Sequence, residues 1–265
     1  MNTPLELFEV DGKQCISVPE EYRNKISTFG LQYLQPHGFF NEVPSNAEGY
    51  TPWYTYPAIE FLNDIIKPEH KVLEYGSGYS TLYFKNKVQE LCTIEHDLDW
   101  AKKIVAMNDN LEIKVCVEQC KVIPEAISRV VEFLQNFKQI LSRDRQHDIT
   151  HGLINNDFAG YASMIYNYPL GHFDIVVIDG MARALCGYLA VERIAEDGYI
   201  ILDNSDRWQY NHLQEYLVEQ GFGRIDFWGP GHGVYEKWCT SFFSRKFKVI
   251  PNNVCRPVDQ RPILR

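Results

Sequence analysis

The 265-residue sequence has no apolar run near the roughly 18 to 20 residues that a membrane-spanning helix needs, so a helical membrane protein is not expected. Its opening, MNTPLELFEV, lacks the basic start and apolar core of a signal peptide, and a membrane is not an expected partner. Positive charge is in deficit: Lys and Arg total 26 against 35 Asp and Glu, a formal net charge of −9. Nucleic-acid binding requires a basic surface, so that class is set aside. The basic tail SRKFKVIPNNVCRPVDQRPILR reads as a solvated end segment. Paired cysteines are also missing. Cys15, Cys92, Cys116, Cys120, Cys186, Cys239 and Cys255 are scattered and odd in number, which disfavours a disulfide framework. Cys116 and Cys120 have helical spacing, but no second pair completes a zinc set. Reduced, buried thiols in a cytoplasmic protein are the expectation. There is no internal repeat and no low-complexity tract.

What remains is an ordinary globular composition, 45% apolar and 23% charged, in a chain long enough for one large α/β domain. LELFEV and KQCISV flank Asp11-Gly12 and predict an N-terminal hairpin. An aromatic, loop-like stretch follows, carrying Phe39, Phe40, Tyr50, Trp53 and Tyr54, in a position to fold over a site as a lid or to pack as core. Residues 1–55 are read as this N-terminal part, 56–248 as the main domain and 249–265 as a tail.

From YPAIEFLNDII onward, strands and helices alternate. KVLEY, LCTIEH, LEIKVCV, FDIVVIDG and YIILD read as strands. STLYFKNKV, DWAKKIVAMN, MARALCGYLAVERIAEDG and RWQYNHLQEYLVEQG read as the helices after the first, second, fourth and fifth of them. Such alternation implies right-handed crossovers and a mainly parallel, doubly wound sheet covered on both faces. GRIDFW and WCTSFFSR close the domain as an antiparallel pair, for seven strands in all. Between the third and fourth strands lie about fifty residues, far more than a simple crossover needs. Within this insertion, placed at about 120–160, Ile127, Val130, Val131, Leu134, Phe137 and Leu141 form an apolar stripe at helical spacing. The stripe predicts a helix that packs on the sheet, pairs two subunits as a homodimer, or caps the site.

The first strand runs into a glycine turn, VLEYGSGYST. In an open parallel sheet, ligands bind beyond the carboxyl ends of the strands where strand order reverses, and Gly76 and Gly78 fall there. Glu95 ends the second strand, placed to accept hydrogen bonds from ribose hydroxyls. Turn and acid together indicate a nucleoside. A dinucleotide site wants a third glycine where Thr81 stands, and Glu74 is an awkward neighbour for a pyrophosphate. An acid at that position suits a cationic ligand instead.

On these residues the sequence resembles the class I S-adenosylmethionine-dependent methyltransferases over about Tyr56 to Ser244. Their first motif is matched by EYGSGYS, with Ser80 in place of its third glycine. The resemblance implies a Rossmann-like methyltransferase fold with S-adenosylmethionine as cofactor, bound by Glu74, Gly76, Ser77, Gly78, Ser80, Glu95, His96 and Asp179. Asp179 after the fourth strand, with Asp203 and Asn204 after the fifth, resembles the metal-ligand set of the catechol-type O-methyltransferases. That likeness implies Mg²⁺ on Asp179, Asp203 and Asn204, assisting methylation of a small-molecule or saccharide hydroxyl. The same acids equally suit helix capping and turns. Asp179, Asp203, Arg183 and His232 are the candidate catalytic residues, Arg183 as a binder of a substrate carboxylate or phosphate or as an ion-pair partner. His37 and His232 stand in glycine-containing loops and are candidate general bases. An NAD-dependent oxidoreductase and a non-catalytic nucleoside-binding scaffold remain alternatives. Aminopropyl transfer is compatible with the fold, although no acid cluster specific for a polyamine is evident.

Overall fold

The computed structural model describes residues 7–10, 13–16, 50–108, 111–116, 120–141, 158–231 and 234–248. Strands β1 (Leu7–Val10) and β2 (Lys13–Ile16) pair antiparallel as the expected hairpin, with Val10 opposite Lys13. Most of the aromatic stretch before Tyr50, His37, the tail from 249, and His232 lie outside the described residues.

The main sheet has seven strands: β3 (Lys71–Tyr75), β4 (Glu90–Glu95), β5 (Ile113–Val115), β6 (Phe173–Ile178), β7 (Ile194–Asp203), β8 (Gly223–Gly231) and β9 (Val234–Ser244). Their spatial order is β5-β4-β3-β6-β7-β9-β8. All neighbours from β5 to β7 are parallel, and β9 joins β7 and β8 antiparallel. The chain builds outward from β3 to β5, returns to place β6 beside β3, and then builds the other way. Strand order therefore reverses between β3 and β6, where an open sheet forms its ligand crevice.

Residue parity sorts the two faces. Val72, Ile175, Val177, Ile201 and Phe242 point to one side and pack with Tyr56, Ala58, Ile59 and Leu62 of helix α1 (Tyr56–Ile65). Leu73, Tyr75, Val176, Ile178, Ile200, Leu202 and Phe243 point to the other. That second face is covered by α4 (Ile127–Leu141), α5 (Ala159–Ser163), α6 (Arg183–Ala190) and α7 (Asn211–Glu219). Helices α2 (Tyr79–Lys85) and α3 (Leu98–Val105) flank the β4 side, Leu82 packing with Ile104 and Leu111. Glu74, Asp179 and Asp203 share the parity of Val72, Val177 and Ile201 and so fall on the α1 side.

Two local readings are corrected. The helix expected through MARALCGYLAVERIAEDG stops at Ala190, because Ile194 already pairs with Phe173 and is buried at 3% exposure. Gly198 lets this early strand pack closely, since a Cβ there would stand 2.7 Å from Ile194 Cγ1. Among the described side chains of α4, Val130 and Phe133 are buried and Leu134 packs against the same core, whereas Ile127 and Val131 are 50% and 45% exposed. Phe133, outside the expected stripe, packs at a tilt against Tyr188 of α6 with ring centroids 5.3 Å apart and rotates the contact line.

No helix among the described residues is long and apolar enough to cross a membrane. Cys92, Cys116, Cys120, Cys186 and Cys239 are all free thiols.

Candidate active site

At the switch point, Gly76 and Gly180 meet backbone to backbone. Gly76 has φ +90°, and a Cβ on it would lie 2.8 Å from the Gly180 Cα. The Gly76 amide donates to Ile94 O at 2.8 Å, and Asp179 N donates to Tyr75 O at 3.0 Å, so three strand ends are tied together. Over this floor opens a cavity of about 290 Å³ lined by Trp53, the run from Gly76 to Ser80, the run from Glu95 to Asp97, Trp100, Asp179 and Gly180.

Glu95 organises one end of the cavity. Its Oε2 accepts from the Ser77 amide at 2.7 Å and the Ser77 hydroxyl at 2.8 Å; its Oε1 accepts from the amides of His96 and Asp97 at 2.7 and 2.9 Å. Burial alone would raise its pKa, but hydrogen bonds from His96, Asp97 and Ser77 overcome that and pull it down to about 2. Glu95 therefore carries a fixed negative charge. Asp97 caps α3, accepting from the Asp99 and Trp100 amides at 2.9 Å each, and Trp100 Nε1 donates to Ser77 O at 2.7 Å. The loop around the cavity is thus held from both sides.

Glu74 is not in the lining. It is fully buried under the turn, where its Oε2 accepts from the Thr81 hydroxyl at 2.6 Å and the Thr93 hydroxyl at 3.2 Å. Thr81 Oγ1 in turn accepts from the Gly78 amide at 2.9 Å, so the acid clamps the start of α2. Desolvation raises its pKa to about 8, with the hydroxyl hydrogen bonds opposing the shift. At neutral pH Glu74 is mainly the neutral acid. In this structure the Glu74 carboxyl holds the turn from below through Thr81 and Thr93.

Asp179, Asp203 and Asn204 are linked to one another through Arg183. Arg183 occupies the space between their strand ends. Its Nε donates to Gly180 O at 3.0 Å, Nη1 to Asp203 O at 2.8 Å and Asn204 Oδ1 at 3.3 Å, and Nη2 to Asp179 O at 2.9 Å. Nη2 also pairs with Asp179 Oδ1 at 2.9 Å. These contacts use the guanidinium's donor capacity. They leave no free fork for a substrate carboxylate. The Asp203 carboxyl is turned into the sheet, 3% exposed, accepting from Trp238 Nε1 at 3.0 Å and Thr240 Oγ1 at 2.6 Å. Burial, reinforced by Asp179 and opposed by Arg183, raises its pKa to about 7. Asp203 and Asn204 are strand-end anchors here, and Arg183 is the cation that pairs them. Among the described residues no cluster of His, Cys, Asp or Glu is arranged to hold a metal ion.

Of the residues read from sequence, the structure brings Gly76, Ser77, Gly78, Ser80, Glu95, His96 and Asp179 around one cavity. It adds Trp53, Tyr79, Asp97, Trp100 and Gly180. The signal for Gly180 was present in IDG, as the backbone partner that Gly76 requires; Asp97 and Trp100 follow directly on Glu95. Trp53 was legible only as part of an aromatic run.

No family model matches the sequence, and no curated protein matches it. Similar solved structures include a methyltransferase-like protein from Silicibacter pomeroyi, 17% identical over 76% of this chain and 91% of that one, TM-score 0.39. A SAM-dependent methyltransferase from Aquifex aeolicus is 10% identical over 72% of this chain and 89% of its own, TM-score 0.39. Spermidine synthase from Thermotoga maritima is 11% identical over 68% of this chain and 54% of its own, TM-score 0.38.

Proposed function

We propose that this chain is an S-adenosylmethionine-dependent methyltransferase of the cytoplasm that methylates a hydroxyl of a small molecule or sugar. The observation that carries the reading is the character of the switch-point cavity. Three carboxylates and two indoles line it, and among the described residues no Lys or Arg does. Such a lining suits a cationic nucleoside and repels a pyrophosphate. Thr81 stands where a dinucleotide site wants glycine, and its hydroxyl is engaged by Glu74.

The residues present fit this cofactor, which when bound supplies a methyl carbon activated by a positively charged sulfur. Glu95 would hold the ribose: three of its donors are backbone amides, and the Ser77 hydroxyl and the His96 ring nitrogen, 2.7 Å from Oε1, are the side-chain partners a ribose hydroxyl can replace without unmaking a backbone bond. Gly76 and Gly78 let backbone approach the amino-acid portion. Asp179, a quarter of its side chain exposed beside Gly180, is placed to take the proton of the acceptor hydroxyl. Burial raises its pKa while Arg183 holds it down, and the ion pair fixes its orientation. No step uses a metal ion.

Asp179→Asn keeps an acceptor for Arg183 and removes the base. Transfer of labelled methyl from S-adenosylmethionine to phenols and neutral sugars is expected to fall roughly 100-fold or more, with S-adenosylhomocysteine affinity kept within about threefold. Equal transfer rates in variant and parent would remove Asp179 from the chemistry.

A further inference from the structure

We infer that Cys116 and Cys120 form a redox-modification site: hydrogen peroxide joins the two thiols in a reversible disulfide, and the bridge loosens the Glu95 end of the cavity. The consequence for ligand binding rests on the methyltransferase reading; the disulfide itself does not.

Cys116 directly follows β5, and Cys120 stands a short distance along the chain. Both are free thiols, and their side chains share a hydrogen bond. They pack against the same core on one face of the sheet, Cys116 buried and Cys120 half-buried. Sulfurs already in contact need only a small approach to reach the roughly 2.05 Å of a disulfide. Cys92, Cys186 and Cys239 are buried, so Cys120 is the most accessible of these five thiols and meets an oxidant first. Burial and the adjacent Cys120 push the Cys116 thiol up to about 12, which keeps it protonated until its neighbour has reacted.

The chemistry balances with peroxide alone. The Cys120 thiolate attacks one peroxide oxygen; an S–O bond forms, the O–O bond breaks, and hydroxide leaves to take up the thiol's proton as water. The Cys116 sulfur then attacks the Cys120 sulfur; the S–S bond forms, the S–O bond breaks, and a second water leaves with the Cys116 proton. Two thiols lose two electrons and one peroxide gains them. Both ends of the new bridge are tied to the cavity wall. The Cys116 amide donates to Glu95 O at 2.7 Å. Cys120 is pressed on α5: a Cβ on Gly160 would overlap the Cys120 carbonyl and lie 2.8 Å from Cys120 Cβ. The Ile123 amide, just beyond, donates to Ser163 Oγ at 2.9 Å. Phe158 and Tyr161 at that helix meet the His96 ring edge-on at 5.6 and 6.3 Å, and His96 Nδ1 lies 2.7 Å from Glu95 Oε1. Drawing the sulfurs together therefore pulls on the end of β4 or on α5, and either one positions Glu95.

The test treats the folded full-length protein with hydrogen peroxide, blocks remaining thiols with iodoacetamide in denaturant, and digests with trypsin. Both cysteines lie in one tryptic peptide, Val115–Lys121, so the bridge is read as a peptide that has lost two hydrogens and takes no label. Dithiothreitol should restore double labelling. Oxidised parent should bind S-adenosylhomocysteine at least about threefold more weakly than reduced parent and unfold at a lower temperature, both reversed by dithiothreitol. Cys120→Ala, a change at the half-buried position, should show neither effect of peroxide, and Cys116→Ala should likewise lose the reversible effect. Double labelling after peroxide, a sulfinic acid on Cys120 without a bridge, or a bridge to another cysteine would overturn the site. A bridge that leaves both the affinity and the unfolding midpoint unchanged would overturn the loosening. If the reduced parent does not bind S-adenosylhomocysteine, the cofactor reading fails separately, and the peptide mass and unfolding midpoint still decide the inference.

Discussion

Nη1 of Arg183 lies 2.8 Å from the main-chain oxygen of Asp203, joining the ends of β6 and β7 through one buried guanidinium. The same group grips Asp179 through its main-chain oxygen and its carboxylate. Removing the cation leaves the Asp179 carboxylate, the Asn204 side chain and three main-chain carbonyls without their donor. Arg183→Met is expected to destabilise the protein by about 3–5 kcal/mol in denaturant unfolding. Arg183→Lys should recover only part of this, because an ammonium cannot reproduce the planar fork. Full stability in Arg183→Met would mean the strand ends are held by other contacts.

Arg183 ties Asp179, Asp203 and Asn204 together, and the proposed reaction uses no divalent metal. Treatment with EDTA, and addition of Mg²⁺ at millimolar concentration, should leave both the thermal midpoint and S-adenosylhomocysteine affinity unchanged. A Mg²⁺-dependent gain in either would show that Arg183 yields its place when metal is present.

Gly76 combines φ +90° with a neighbour at 2.8 Å, so a methyl group there is both strained and obstructed by backbone. Gly76→Ala should cost more than about 1 kcal/mol from the dihedral alone, and it should abolish nucleoside binding by separating the β3 and β6 turns. Calorimetry on the folded variant checks this. Undiminished binding would show that the close approach of the two glycines is not needed.

Glu74 makes the pH dependence of stability testable. Its folded pKa, about 8, lies above the ordinary carboxylate value of 4.5, so between these values the folded state holds a proton that the unfolded state has released. Its stabilising contribution is complete below about pH 4.5 and declines as pH rises to about 8. Glu74→Gln mimics the neutral acid and does not titrate. Relative to the parent, the variant should gain on the order of 1 kcal/mol per pH unit across that window and level off above it. Thermal unfolding from pH 5 to 9 reads the difference; parallel curves for the two proteins would mean that Glu74 is ionised in the fold.

The sheet was readable from sequence because strands buried on both faces leave unbroken apolar runs such as IVVI and YIIL, and because Gly76, Gly78 and Glu95 need only local chain to reach one crevice. The fate of Asp203 was not readable. Its carboxyl is captured by Trp238 and Thr240, which reach it only once β9 has folded back beside β7. Position at a strand end suggests a side chain facing ligand, and a partner 35 residues away turned it inward. Arg183 was readable only as two alternatives, substrate binder or ion-pair partner: a guanidinium one turn past an acid can face either ligand or backbone, and here it pairs with Asp179 while four main-chain or side-chain groups from two strand ends claim it. The α4 stripe shifted because Phe133 had a large aromatic partner, Tyr188, on a distant helix.

The central claim is that a cavity lined by Glu95, Asp97, Asp179 and two indoles holds a cationic adenosyl cofactor. Calorimetric titration of the purified protein with S-adenosylmethionine, S-adenosylhomocysteine and NAD tests it most directly. The expected result is micromolar binding of the two adenosyl ligands, lost in Glu95→Ala, with no heat from NAD. Tight NAD binding, or no binding of either adenosyl ligand to the parent, would contradict it.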